Sequence, residues 1–246
     1  MLKRWIVFIY GLCSYAVFFA TYLYAIGFVG NFGVPQSIDS PRSGSFRRSL
    51  LVDLALLLVF AIQHSVMARP AFKKWWMQFI PEPAERSTYV LASSVALIAL
   101  FAYWQPLGGT VWSVHQPAAA AVLYALCAFG WLLVLVSTFL INHFDLFGLR
   151  QIWTYLRGKE YRPIGFRTPG PYKLVRHPLY VGWLFAFWAT PTMTATHLLF
   201  SVATTAYILI AIQFEERDLA DHLGESYRSY RKRVPMLIPF LRSSGR

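Results

Sequence analysis

The chain has 246 residues, 57% of them hydrophobic and only 14% charged, with a mean hydropathy of +0.45. Soluble domains carry about 25% charged residues, so this composition excludes a water-soluble globule and names lipid as the main solvent. The formal net charge of +12 raises nucleic acid or an anionic surface as partners, and the placement of the cations, taken below, argues against nucleic acid.

A membrane-spanning helix needs about 20 apolar residues. Residues 5–29 run 25 positions without a charged side chain. That is longer than the apolar core of a signal peptide, and it predicts a retained first span behind Lys3 and Arg4. Segments 50–68, 88–104 and 117–141 predict three more. Cys13 and Cys127 fall within these stretches and read as small buried hydrophobes rather than as a redox pair.

Segment 178–214 has no Lys, Arg, Asp or Glu over 37 residues. One helix of that length would measure about 55 Å, against roughly 30 Å of hydrocarbon. Thr190-Pro191-Thr192 lies inside it, and proline ends or kinks a helix. The segment therefore predicts a helical hairpin turning near Pro191. Either arm is free to fall short of a full crossing, so five and six crossings both fit. The predicted fold class is an all-α integral membrane protein of five to six transmembrane helices with a C-terminal hairpin.

Cationic loops face the cytoplasm. With six spans and the N-terminus inside, segments 1–4, 69–86, 142–177 and 215–246 are cytoplasmic and hold 20 of the 23 Lys and Arg residues. The opposite loops hold Arg42, Arg47 and Arg48. The basic balance is thus mostly a topology signal. Segments 142–177 and 215–246 flank the hairpin, and closing the hairpin brings their membrane ends together.

Two motifs border that hairpin. The first reads Gly170-Pro171-Tyr172-Lys173-Leu174-Val175-Arg176-His177-Pro178-Leu179-Tyr180. Pro178 suits the first turn of a helix, which places His177 at a helix N-terminus and Tyr180 on the same face three residues on. The plain alternative is an interfacial anchor of Lys, Arg, His and Tyr. The second motif opens with Glu215 and Glu216 after the apolar run. Carboxylates so close to lipid are costly unless paired or functional; the alternative is a solvated helix continuation with Arg217 and Asp221 paired. Gly224-Glu225-Ser226-Tyr227-Arg228-Ser229-Tyr230-Arg231-Lys232-Arg233-Val234-Pro235 then begins a basic, aromatic tail suited to anionic lipid headgroups.

Taken together, R-H-P-x-Y, a long hairpin, E-E-x-x-L and G-x-x-Y-x-x-Y-x-x-R-V-P-x-x-x-P closely resemble the isoprenylcysteine carboxyl methyltransferase superfamily over residues 170–240. The resemblance implies a cytoplasmic-face site for S-adenosylmethionine, with Tyr172, Arg176, His177, Tyr180, Glu215, Glu216 and Tyr230 as cofactor-binding candidates. Gln63-His64-Ser65-Val66-Met67-Ala68-Arg69 and Asn142-His143-Phe144-Asp145-Leu146-Phe147-Gly148-Leu149-Arg150-Gln151 are similar to segments of the bacterial methanethiol S-methyltransferases and the related NnrU-like proteins. That resemblance covers most of the chain. It implies a small thiol substrate, dimethyl sulfide as product, and a bacterial inner membrane with both termini cytoplasmic. Segment 142–246 would build the donor site and segment 1–141 the remaining helices, in one integrated domain.

A thiolate is the nucleophile in such a transfer, so a general base is expected, and histidine is the usual choice. His143 and His177 are the catalytic candidates, with Asp145 to orient His143, Arg150 or Arg176 to hold a carboxylate or thiolate, and Tyr180 beside them. No metal-ligand spacing joins the histidines. Trp131, Phe139, Phe144, Trp183, Phe187 and Trp188 are candidates to line a pocket, or else simply pack. His64, an ionisable group inside a span, is a further suspect. Two other readings remain at this point. One keeps the chemistry and takes a prenylcysteine carboxylate or lipid amine as acceptor; the other is a non-catalytic membrane component or small transporter. The oligomeric state is not encoded in any of these signals.

Overall fold

A computed structural model describes residues 1–41 and 44–241; Arg42, Arg242 and Arg246 of the charge pattern lie outside the described residues. In chain order the helices are α1 (Leu2–Gly30), α2 (Phe46–Ala68), α3 (Pro70–Trp76), α4 (Glu85–Tyr103), α5 (Pro117–Ile141), α6 (His143–Leu146), α7 (Leu149–Leu156), α8 (Pro178–Trp188), α9 (Ala195–Leu223) and α10 (Glu225–Arg233). Five of the helical segments are long and apolar enough to cross a membrane: α1, α2, α4 with the turn before it, α5 and α9. The chain is an all-α integral membrane protein.

The hairpin turns where Pro191 predicts. Its arms are unequal: α8 has 11 residues, about 17 Å, and does not reach across a bilayer by itself. α9 has 29 residues and continues through Leu223. Glu215 and Glu216 therefore sit inside the helix rather than beyond its end. Cys13 is exposed and Cys127 only partly buried, which corrects the expectation that both are buried; a thiol costs little against lipid. Two short strands were not foreseen, β1 (Thr110–Ser113) and β2 (Thr192–Thr194). They pair with each other, and Val114 N–H donates to Pro191 C=O at 2.9 Å. Non-helical backbone close to lipid needs such partners.

The chain divides into two compact units, one of residues 1–109, 143–163 and 194–197, the other of 110–142, 164–193 and 198 onward. In the first, Phe28, Leu100, Phe101 and Trp104 are buried. The Phe28 ring lies tilted against Phe101 and edge-on to Trp104, with centroids 4.7 and 5.9 Å apart. Asp53, fully buried in α2, accepts the Gln105 N–H at 2.8 Å just past the end of α4. Val7, Ala84 and Ile152 bring α1, the turn before α4 and α7 together.

The second unit is organised around α5 and α8. Helices in lipid gain nothing from hydrophobic burial against each other and associate through small residues that permit close approach. Gly130 and Gly182 supply that approach: a Cβ on Gly130 would lie 2.6 Å from the Gly182 carbonyl, and one on Gly182 would lie 2.8 Å from the Gly130 carbonyl. Around the crossing, Trp131 meets Trp183 edge-on at 5.2 Å, and Phe187 meets Trp183 and Phe200 at 5.3 and 5.0 Å. These aromatics form the packing core of the unit, whereas Phe139 is exposed.

Gly182→Val is expected to lower stability by about 1–3 kcal/mol through backbone overpacking, read as a drop in Tm in detergent. Gly165→Ala, where an added Cβ meets nothing within 4 Å, is the matched control. Equal Tm values for the two variants would contradict this account of the crossing.

Candidate functional site

Local sequence sets the frame of the site in the second unit. A 3-10 turn over Gly170–Lys173 leads to His177, the N-cap of α8, with Pro178 in the first turn. The chain after α10 folds back on this segment: Arg176 N–H donates to Pro235 C=O at 2.8 Å, and His177 N–H donates to Met236 C=O at 3.2 Å. The R-H-P and V-P-M stretches are thus hydrogen-bonded backbone to backbone.

Side chains complete the knot. Arg176 is buried and its Nε donates to Glu216 Oε1 at 2.6 Å. Its Nη1 donates to the carbonyls of Arg231 and Val234 at 3.0 and 2.6 Å, which caps the C-terminal end of α10. His177 Nε2 lies 3.1 Å from Glu216 Oε1. Arg231 Nε reaches the other carboxylate oxygen at 3.2 Å. Glu216 is only 3% exposed, so this buried carboxylate is met on both oxygens.

Glu215 points elsewhere, because neighbours on a helix diverge by about 100°. Its carboxylate accepts the Tyr180 hydroxyl at 2.9 Å and is 44% exposed. His177 Nδ1 lies 3.9 Å from Glu215 Oε2, beyond hydrogen-bonding distance. In the neutral tautomer that donates its Nε2 proton to Glu216, Nδ1 carries the lone pair. Tyr230 donates to the Tyr172 carbonyl at 2.6 Å, and burial pushes its phenol up to about 12. Tyr172 is likewise raised by burial. Phe166 faces α10, its ring 5.4 Å from that of Tyr230 and 6.0 Å from that of Tyr227.

Seven of the predicted residues, Tyr172, Arg176, His177, Tyr180, Glu215, Glu216 and Tyr230, thus lie in one unit and are linked by these contacts. The alternative ion pair between Arg217 and Asp221 does not form among the described residues. Two residues escaped the sequence reading. Arg231 is the second guanidinium on Glu216. Tyr227 is 1% exposed, and its hydroxyl has no hydrogen-bond partner among the described residues. The Y-x-x-Y spacing carried the signal for Tyr227, since it places Tyr227 and Tyr230 on one face of α10.

His143, Asp145 and Arg150 belong to the other unit. His143 is buried and bonds through Nε2 to the Tyr15 hydroxyl at 2.7 Å. Burial lowers its pKa, which favours the neutral imidazole. Asp145 accepts from Arg150 Nη1 at 3.1 Å and from the Tyr161 hydroxyl at 2.9 Å. Tyr161 is raised by burial and then by its bond to Asp145. His64, in the same unit, bonds to Tyr89 at 2.8 Å and to Ser93 at 3.1 Å, a polar tie between α2 and α4.

Acid should therefore weaken the first unit. A histidine whose folded pKa is depressed contributes stability that is present above its unfolded pKa of about 6.5 and is lost as pH falls through its lower folded value. Tm in detergent is expected to fall between about pH 7 and pH 5, and to fall less in His143→Gln. The same slope in both proteins would contradict this.

Residues 52–225 match the family model described as NnrU protein. The methanethiol S-methyltransferase of Crocosphaera subtropica is 55% identical over 240 residues, covering 98% of this chain and 94% of the relative. The methanethiol S-methyltransferase of Mycobacterium tuberculosis is 52% identical over 239 residues, covering 97% and 98%. That of Pseudomonas deceptionensis is 54% identical over 234 residues, covering 95% and 89%. No solved structure matches the chain. With a family model covering most of its length and relatives at this identity nearly end to end, the chain belongs to the NnrU family, among its methanethiol S-methyltransferases.

Proposed function

We propose that this protein methylates methanethiol to dimethyl sulfide with S-adenosylmethionine as donor, at the cytoplasmic face of a bacterial inner membrane. The observation that carries the site assignment is the buried Glu216 carboxylate with Arg176, His177 and Arg231 around it, beside the exposed Glu215 and the unpartnered Tyr227 hydroxyl.

The donor set fits S-adenosylmethionine. Glu215 has acceptor capacity for ribose hydroxyls or an ammonium, and Tyr227 has an unused donor for a carboxylate. Tyr180 fixes the Glu215 rotamer from the other side. Tyr172 and Tyr230 hold the 3-10 turn and α10 in place around these groups. When bound, the cofactor supplies an electrophilic methyl group on a sulfonium, and no metal is needed for such a displacement.

The acceptor proton is the protein's task. A cysteine thiol titrates near roughly 8.5, and a simple alkyl thiol higher, so only a small fraction is thiolate at neutral pH. His177 is placed to accept that proton: Glu216 holds Nε2–H, leaving Nδ1 as the base, and the carboxylate then stabilises the imidazolium. Arg176 and Arg231 keep Glu216 ionised and oriented, which makes them positioning residues. His143 is the second candidate base, favoured by its buried, neutral imidazole and its Tyr15 bond. Methanethiol is taken as acceptor over a prenyl or lipid group because the relatives with that name align over nearly the whole chain.

Protein in bilayers is to be given S-adenosylmethionine and methanethiol, and headspace dimethyl sulfide followed by gas chromatography. His177→Ala is expected to lower kcat by about 10²–10⁴, with relief at high pH where the thiol ionises unaided. Tyr180→Phe is expected to raise the donor KM about tenfold with a smaller change in kcat. A His177→Ala enzyme of normal rate and pH profile would pass the base role to His143. No dimethyl sulfide from the folded wild type would contradict the acceptor assignment.

A further inference from the structure

A cavity lies in the same unit as the Glu216 knot, with Arg176 and Arg231 of the knot in its wall and Glu215 outside its lining. Its volume is about 1560 Å³, above the range of roughly 300–1,000 Å³ common for small-molecule pockets. Methanethiol has two heavy atoms, so the space far exceeds what the substrate requires. Its walls are aliphatic and aromatic, including Leu184 and Trp188 of α8, Leu209 of α9 and Ile238 of the tail. Leu209 and Ile238 are also 43% and 60% exposed, so the cavity is open to the lipid-facing surface.

The polar rim has one sign. Arg228, Arg231 and Lys232 line it together with the buried Arg176, and no carboxylate does among the described residues. Arg176 and Arg231 are committed to Glu216. Arg228 and Lys232, four residues apart on one face of α10, are exposed and make no ion pair among the described residues. An apolar cleft open to lipid, with two uncompensated cations at its mouth, has the chemistry of a phospholipid site: an acyl chain below and an anionic headgroup above.

We propose that this cleft holds one anionic glycerophospholipid of the surrounding bilayer, its phosphate between Arg228 and Lys232 and an acyl chain along Leu184, Trp188 and Leu209. The lipid is a bound ligand and not the methyl acceptor. It braces the segment after α10, whose carbonyls of Pro235 and Met236 hold the backbone of Arg176 and His177. The inference does not depend on the acceptor proposed above, because its test reads binding and not turnover.

The full-length protein in mild detergent is to be mixed with equal amounts of phosphatidylglycerol and phosphatidylcholine and examined by native mass spectrometry. The wild type is expected to retain one phosphatidylglycerol in preference to phosphatidylcholine. The Arg228→Gln/Lys232→Gln double variant, altered only at exposed positions, is expected to lose that preference by on the order of tenfold. Phosphatidylglycerol brominated on its acyl chains should quench wild-type fluorescence more than that of Trp188→Phe, since Trp188 is fixed at the cleft by its bond to Thr205 at 2.9 Å. Equal retention of the two lipids, a preference that survives the double substitution, quenching indifferent to Trp188, or a second protein chain bound in place of lipid would each overturn the proposal.

Discussion

A carboxylate buried at a membrane-protein surface must be met by donors or it must lose its charge, and Glu216 is the residue on which this requirement falls. Leaving one such charge unpaired costs about 3–5 kcal/mol, enough to dictate how neighbouring segments fold. Arg176, His177 and Arg231 come from two motifs separated by the whole hairpin, and all three end on this one side chain. Arg176 does more than pair: its second nitrogen caps α10, and its backbone N–H receives the returning tail. Remove the carboxylate and two guanidinium groups, the buried Arg176 and the more exposed Arg231, lose their charged partner together.

The lipid setting explains why the knot stands on a short helix. α8 is far shorter than a bilayer is thick, and it is held through the Gly130–Gly182 approach to α5 and the aromatic cluster beside it. Backbone contact fixes α8 where side-chain burial against lipid could not. Fixing α8 fixes its N-cap, and His177 with it. The two acids at the hairpin's far end differ: Glu216 faces inward among its donors, while its neighbour Glu215 faces out and is half exposed.

Much of this was legible in the sequence because it follows from hydropathy and chain breaks. The long spans, the turn at Pro191, His177 as an N-cap and the shared face of His177 and Tyr180 rest on local rules of period, length and proline geometry. What escaped depends on contacts distant in sequence. Nothing near His143 announces Tyr15, which lies 128 positions away. The charge-free run ends at Phe214, and the sequence left open whether the helix continued past the two acids; α9 does continue, through Leu223. Arg231 looked like one cation of a basic tail, and only the return of that tail to Arg176 shows its partner. The paired strands near 110 and 192 were too short for an alternating pattern. The acceptor and the family rest on likeness to relatives, since a two-heavy-atom thiol leaves no compositional mark.

If the Glu216 knot shapes the proposed donor site, equilibrium binding of the donor's product depends on the Glu216 charge. S-adenosylhomocysteine is to be titrated calorimetrically into the wild type and Glu216→Gln, with circular dichroism to verify that the helices persist. Glutamine keeps the size and one carbonyl acceptor but removes the charge that Arg176 and Arg231 share. The account predicts a Kd raised by at least about tenfold in a variant that retains its helices. An unchanged Kd in that folded variant would contradict it and move the donor site away from the hairpin.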